Sequence, residues 1–337
     1  LPLLLLLLSG LIFSMVMVLS PYERLAVFLP DPEAASANVS FEELITRYGL
    51  DAPFYVQYGN WLKEVLKGNL GWSPSARMPV SEAIAQNFPA TMELMLCGFL
   101  IVFFGGISLG TFAAVRHNRL PDQVARVATI FALSLPEFVF GLLLLVIFYA
   151  VLGWLPPGRL SLWAEDIVYS DSFRRFTGMN TVDGLLNGNI PVFLDALKHL
   201  VLPSIAYSLG FLSTILRLMR SSLLETLGKE YVLTARAKGL AEKIVINKHA
   251  RRNALLPIIT VAGGVVAKML GGAVIIETVF NYRGMGTFIV TAAQGLDFPA
   301  ILGFSLMIGI IIITVNLLID ILYVILDPTI SFEGKNG

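Results

Sequence analysis

The sequence predicts an all-α integral membrane protein with six transmembrane helices, and three observations carry that expectation. Of the 337 residues, 56% are hydrophobic and only 14% charged; with a mean hydropathy of +0.75, the chain is too apolar for an ordinary soluble domain. A bilayer core takes about 20 largely apolar residues per helix, and six stretches qualify: 1–19, 88–115, 124–152, 199–219, 257–278 and 299–326. The formal net charge is zero, so the charges are informative only through their placement, which falls mainly between these stretches.

The first stretch reads as a retained helix. Its apolar run exceeds the ~7–15 residues of a secretory leader, and no small-x-small cleavage site precedes Pro21. The chain starts at Leu1 without a Met, so native residues are expected ahead of it. In region 20–87, Phe41, Leu44, Ile45 and Tyr48, then Trp61, Leu62, Val65 and Leu66, recur at helical spacing and predict short amphipathic helices. Pro30-Asp31-Pro32, Asp51-Ala52-Pro53, Gly68 to Gly71 and Ser73-Pro74 punctuate them. The five remaining helices form a core over 88–327, with an insertion at 153–198 and a polar segment at 220–256; residues 328–337 form a tail.

Orientation follows from the excess of Lys and Arg on the cytoplasmic side. Residues 116–126 carry Arg116, Arg119 and Arg126 against Asp122. The segment 217–253 carries Arg217, Arg220, Lys229, Arg236, Lys238, Lys243, Lys248, Arg251 and Arg252 against three Glu. Both loops are expected inside. Regions 20–87 and 153–198 are acidic or balanced and read as external, with Trp154 and Trp163 suited to the interface. Both termini then lie in the cytoplasm.

Ionisable residues inside the spans are the next clue, because a charge in hydrocarbon costs at least ~2.5–3.5 kcal/mol. Glu93 and Glu277 fall near outer boundaries and read as interfacial. Lys268 sits mid-helix among Gly263, Gly264, Gly271 and Gly272, so it should face protein or water, paired with Glu137 or Asp320; a pathway role and a structural ion pair both fit. The glycines Gly264, Gly271 and Gly272, or Gly105, Gly106 and Gly110, predict close helix contacts.

Enzymatic signatures are missing. No G-x-x-x-x-G-K-[ST] loop occurs, Gly284-Met285-Gly286 is too short for a dinucleotide fingerprint, and no H-E-x-x-H or G-x-S-x-G pattern appears. Cys97 is the only cysteine, and His117, His199 and His249 lack metal-ligand spacing. No basic block with interleaved aromatics points to nucleic acid.

The most informative stretch is Glu230-Tyr231-Val232-Leu233-Thr234-Ala235-Arg236-Ala237-Lys238-Gly239-Leu240, continuing to His249, Arg251 and Arg252 and then Leu255-Leu256-Pro257. Two short helices meeting at Gly239 are expected, with Ala235, Ala237 and Gly239 leaving one surface free of bulk for docking. The basic rim could alternatively bind anionic lipid headgroups. Thr234, Ala235 and Gly239 resemble part of the cytoplasmic loop motif of ABC-importer permeases. Thr-Ala-Arg-Ala-Lys-Gly, followed by Lys-His-Ala-Arg-Arg-Asn-Ala-Leu-Leu-Pro, is similar to the dipeptide, oligopeptide and nickel permease subfamily, where Leu is usual at the position of Arg251. Tyr48 to Asp51, Gly68 to Gly71, Pro89 to Leu94, Ser134-Leu135-Pro136 and Gly153 to Pro157 resemble the same subfamily in order. Glu137 departs from it, and 159–198 carries little of its signature.

The resemblance implies a type I ABC importer fold and an inner-membrane permease without catalysis of its own. It would import peptides or, alternatively, oligosaccharides, nickel complexes or glutathione. The implied partners are a second homologous permease, two ABC ATPase subunits and an external solute-binding protein, with membrane lipid around them. ATP and Mg would be bound by the ATPases, and no cofactor by this chain. Glu230, Thr234, Ala235, Arg236, Ala237, Lys238, Gly239, His249, Arg251 and Arg252 would dock the ATPase, and the fifth helix would place Lys268 beside the pathway. An ion-coupled transporter or channel is the rival class, and a membrane scaffold a third.

Overall fold

A computed structural model describes residues 2–28 and 40–326. The expected tail at 328–337 and the Pro30-Asp31-Pro32 turn lie outside the described residues. Helices dominate: α1 Pro2–Val16, α2 Pro21–Phe28, α3 Phe41–Tyr48, α4 Phe54–Leu66, α5 Val80–Val115, α6 Leu120–Ser134 and α7 Glu137–Val151. Then come α8 Leu162–Val168, α9 Asn180–Leu186, α10 Ile190–Leu227 and α11 Glu230–Ala237. The run α12 follows, through Glu242–Ile244, Val245–Ala250 and Arg251–Ala254, and then α13 Leu256–Val279, α14 Met285–Gln294 and α15 Phe298–Leu326. One short hairpin pairs Trp72–Ser73 antiparallel with Met78–Pro79.

Among the described residues, α5, α10, α13 and α15 are long and apolar enough to cross a membrane, and α6 with α7 supplies a fifth crossing if the pair is one span. The first expected span corresponds to α1. Its 15 residues reach about 22 Å, short of a core of about 30 Å. The single helix expected over 124–152 is instead broken, with α6 and α7 bent by 104°. Pro136 is the cause. It lacks an N–H and pushes the residue before it out of helical geometry, and Leu135 is extended at φ −90° and ψ 127°.

The chain divides into two compact units, the first made of 1–91, 175–179 and 283–313 and the second of 92–174, 180–282 and 314 onward. In the first, α3 and α4 appear where helical spacing predicted amphipathic helices, and α2 precedes them. Ser40 caps α3 by accepting from the Glu43 N–H, and Gly49 ends it at φ +64°. Their apolar faces bury Leu25, Phe28, Leu44, Leu50 and Trp61 together with Phe13 of α1, and the Phe13 and Trp61 rings lie 5.1 Å apart. The buried Asp297 accepts hydrogen bonds from the Ser73 hydroxyl, the Ser75 N–H and the Ala300 N–H. One carboxylate thus caps α15 and holds the hairpin.

In the second unit α10 is the spine. Asn189 caps it by accepting from the Val192 N–H, and its 38 residues extend about 57 Å. α5 lies against it closely enough that a Cβ at Gly106 would come 2.7 Å from Ile215 Cγ2, and one at Gly110 would come 2.7 Å from the Leu216 carbonyl oxygen. The expected glycine packing is therefore real at Gly106 and Gly110. On α13 the picture is mixed: Gly263 packs on Ile319, while a Cβ at Gly264 or Gly271 would meet nothing within 4 Å. The Tyr207 hydroxyl of α10 donates to the Met269 carbonyl of α13.

Gly110→Ala should therefore cost about 1–3 kcal/mol through overpacking and lower the thermal midpoint of the detergent-solubilised protein. Gly264→Ala should leave that midpoint unchanged.

Candidate functional site

Local chemistry explains the shape of the polar segment after α10. α11 stops in a Schellman motif, with the Gly239 N–H donating to the Arg236 carbonyl and the Leu240 N–H to the Ala235 carbonyl. Gly239 takes φ +75°, a left-handed conformation that costs a residue with a Cβ roughly 1–2 kcal/mol. A Cβ there would meet nothing within 4 Å, so the requirement is conformational rather than steric. The chain then reverses into α12, giving the two helices expected at this glycine.

The two helices are clamped to each other and to α10. Asn253 Nδ2 donates to the Tyr231 hydroxyl at 2.7 Å, and Arg236 donates to both oxygens of Glu242, at 3.1 and 2.7 Å. The Ser222 hydroxyl of α10 donates to the Ala254 carbonyl at 3.0 Å. The Arg236 guanidinium holds the Glu242 carboxyl below its usual range. Val232 and Ala235 of α11 and Val245, Ala250 and Ala254 of α12 are buried.

Ala235 therefore faces inward, contrary to the expectation that it shares an open surface with Ala237 and Gly239. Positions two apart on a helix lie about 200° around the axis, so Ala235 and Ala237 cannot share a face. What α11 and α12 expose is larger and apolar: Tyr231, Leu233, Leu240 and Ile244, beside exposed Glu230, Thr234, Lys238, Lys243 and Arg252. His249 and Arg251 are half-buried, and the Arg251 Nε is buried without a hydrogen-bond partner. Sequence reasoning credited the small residues and passed over the apolar ones, although their spacing around Gly239 was there to read.

In the spanning helices, Lys268 is exposed on a stripe of α13 formed by Thr260, Gly264, Lys268, Gly271, Ile275 and Thr278. The opposite face, with Val265, Met269, Ala273 and Ile276, is buried. Among the described residues neither Lys268 nor Glu137 forms an ion pair, so the expected pairing between them is not made. α7 meets α13 at its far end, where Gly141 lies against Val279 and Phe280, while Glu137 lies beside Gly210 of α10. The Asp320 side chain is outside the described residues.

Glu93, expected near an outer boundary, is packed inside the protein. It is buried, as is Glu277, because the insertion at 153–198 folds over it. Glu93 Oε1 accepts from the Thr181 N–H at 2.6 Å and its hydroxyl at 2.7 Å. Oε2 accepts from Arg159 Nη2 at 3.2 Å and the Tyr282 hydroxyl at 2.8 Å. Burial, then the Glu93 charge, pushes the Tyr282 phenol well above its ordinary range. One carboxylate thus fastens α5 to the insertion and to the loop after α13.

Residues 106–332 match the family described as binding-protein-dependent transport system inner membrane component. The chain is 40% identical over 300 residues to the probable D,D-dipeptide transport system permease protein DdpB of Escherichia coli K12, covering 89% of this chain and 86% of that protein. It is 38% identical over 292 residues to the dipeptide transport system permease protein DppB of the same organism, covering 86% and 85%. The di/tripeptide transport system permease protein DppB of Pseudomonas aeruginosa is also 38% identical over 292 residues, with the same coverage.

The Glu93 network makes a stability prediction. Glu93→Ala leaves Arg159 buried without its carboxylate and should destabilise by about 3–5 kcal/mol. Glu93→Ala/Arg159→Met should cost clearly less than the two single changes summed, in a thermal double-mutant cycle.

Proposed function

The chain belongs to the family of binding-protein-dependent transport system inner membrane components, and from that premise we propose that it is the permease subunit of an ATP-driven importer of di- or oligopeptides. Support for the substrate class comes from the names of its relatives, which specify dipeptides, di- and tripeptides or peptides. The chain would form a pathway with a second, homologous permease and accept substrate from an external binding protein. Two ATPase subunits would bind ATP and Mg and supply the work.

The observation that carries the mechanism is the set of apolar side chains exposed around the turn between α11 and α12, Leu233, Leu240 and Ile244. Apolar side chains left in water at the tip of a braced element suit a groove on another protein, and the neighbouring cations set orientation. The brace matters equally. Asn253 to Tyr231 and Arg236 to Glu242 make α11 and α12 one body, and Ser222 to Ala254 joins that body to α10. Closure of the ATPases on ATP would move the body and, through α10, the spanning helices. This segment would then lie in the cytoplasm, as its excess of Lys and Arg requires, and both termini with it.

Lys268 would line the pathway. A charged side chain mid-helix on a face left open by its own chain is costly toward lipid and affordable toward water.

Two measurements test the reading in proteoliposomes holding the whole complex and the peptide-loaded binding protein. Leu233→Asp/Ile244→Asp should reduce dipeptide uptake at least about tenfold and release the ATPases on purification, with membrane insertion intact, because burying two unpaired carboxylates costs several kcal/mol. Uptake and subunit recovery at the level of the unmodified complex would remove the docking role. Lys268→Met should lower uptake while leaving ATPase recovery unchanged, and unaltered uptake would assign Lys268 to packing.

A further inference from the structure

We propose that the groove between α5, α6 and α10 is a binding site for an anionic phospholipid, one acyl chain lying in the groove and the phosphate held by Arg116 and Arg119. The groove has a volume of about 520 Å³, near that of a single fatty acyl chain, and is lined by apolar side chains including Leu109, Phe112, Val124, Ala128, Leu212 and Leu216. The Thr129 hydroxyl on its wall donates to the Ala125 carbonyl of its own helix, as hydroxyls in apolar surroundings do. α5 and α10 are long and apolar enough to cross a membrane, and α6 is so together with α7, so hydrocarbon is the solvent that the groove meets.

What selects the headgroup is the end of the groove at Leu120 and Pro121. The Arg116 guanidinium lies 3.9 Å above the ring of Phe112, a groove-lining residue, so cation–π contact holds this charge over the opening. Arg119 immediately precedes α6 at its N-cap position, and both arginines are exposed and free of ion pairs among the described residues. The nearby acid does not oppose them. Asp122 is fully buried, receives Arg220 Nε and Nη2 and the Asn118 N–H, and lies 3.5 Å from His117. Arg119 at the N-terminal end of α6, where an anion is favoured, and Arg116 at the end of α5 therefore both face outward without an opposing acid. An apolar slot and an anion clamp at one end of it together match a phospholipid; a free phosphate would leave the slot unfilled, and a neutral lipid would leave the arginines without a counter-charge.

The test uses the protein purified from its native membrane with whatever subunits accompany it, delipidated and titrated with phosphatidylglycerol or phosphatidylcholine under native mass spectrometry. Phosphatidylglycerol should be retained about tenfold or more over phosphatidylcholine, as two arginines near an anionic headgroup imply. Arg116→Gln/Arg119→Gln should abolish that preference, and Ala128→Trp should remove retention of both lipids without lowering the thermal midpoint. Equal retention of the two lipids by the unmodified protein, or a preference that survives loss of both arginines, would overturn the proposal. So would efficient cross-linking of Ala128→Cys, in a Cys97→Ser background, to another protein subunit, since the groove would then be covered by protein.

Discussion

The close approach of α5 to α10 is the contact on which the second unit depends. In hydrocarbon, helices gain little from burying apolar surface against each other, so association rests on packing and on a few polar contacts. Gly106 and Gly110 let the backbone of α5 reach Ile215, Leu216 and Met219 without intervening side chains. Gly98 repeats the device one face higher, where Tyr207 occupies the space a Cβ would need. Tyr207 in turn donates to the Met269 carbonyl, so the same residue that fills the gap between α5 and α10 also fixes α13. Three helices are registered by glycine on one and a tyrosine on another.

The polar groups of this unit gather around single buried carboxylates, each surrounded by donors from distant parts of the chain. Glu93 collects Arg159, Thr181 and Tyr282, Asp195 accepts from the Ser161 N–H and hydroxyl, and Asp122 holds Arg220. A buried charge is tolerated when every lone pair is met. Each cluster also removes a degree of freedom: the insertion is held at Ser161 and Thr181 by carboxylates on two different helices, which sets its position more firmly than its small core of Leu160, Ala164, Val168 and Phe173 could alone.

These pairings mark the boundary of what the sequence could disclose. Apolar runs gave α5, α10, α13 and α15, helical spacing gave α3 and α4, and Gly239 announced its own turn, because each signal is local. Ser134-Leu135-Pro136 was visible as a motif, yet a proline in a span permits anything from a slight kink to the 104° found, and the choice belongs to packing. The burial of Glu93 was not legible because its partners stand 66, 88 and 189 residues away, beyond any window. Lys268 was expected to face protein or water, and the open stripe of α13 on which it lies was not foreseen. The inward turn of Ala235 could have been read from helical phase; the emphasis on small residues hid it.

The 38 residues of α10 bear on how a push at α11 and α12 could be felt far away. Its first turns carry Asp195, which holds the insertion through Ser161, and its last turns carry Arg220 and Ser222, which hold α6 and α12. Between these anchors the helix is buried against α5 and α13 by close packing, which resists compression. Pro203 removes one hydrogen bond from this shaft, and it is the position where bending is least opposed. A displacement entering at Ser222 would travel as rigid motion through the glycine-packed half beside Gly106 and Gly110, and any change in direction would be concentrated at the turn around Pro203. The insertion beyond that turn would be tilted relative to the half below it. Under the proposed coupling, α10 would thus pair a stiff input half with a compliant point at Pro203.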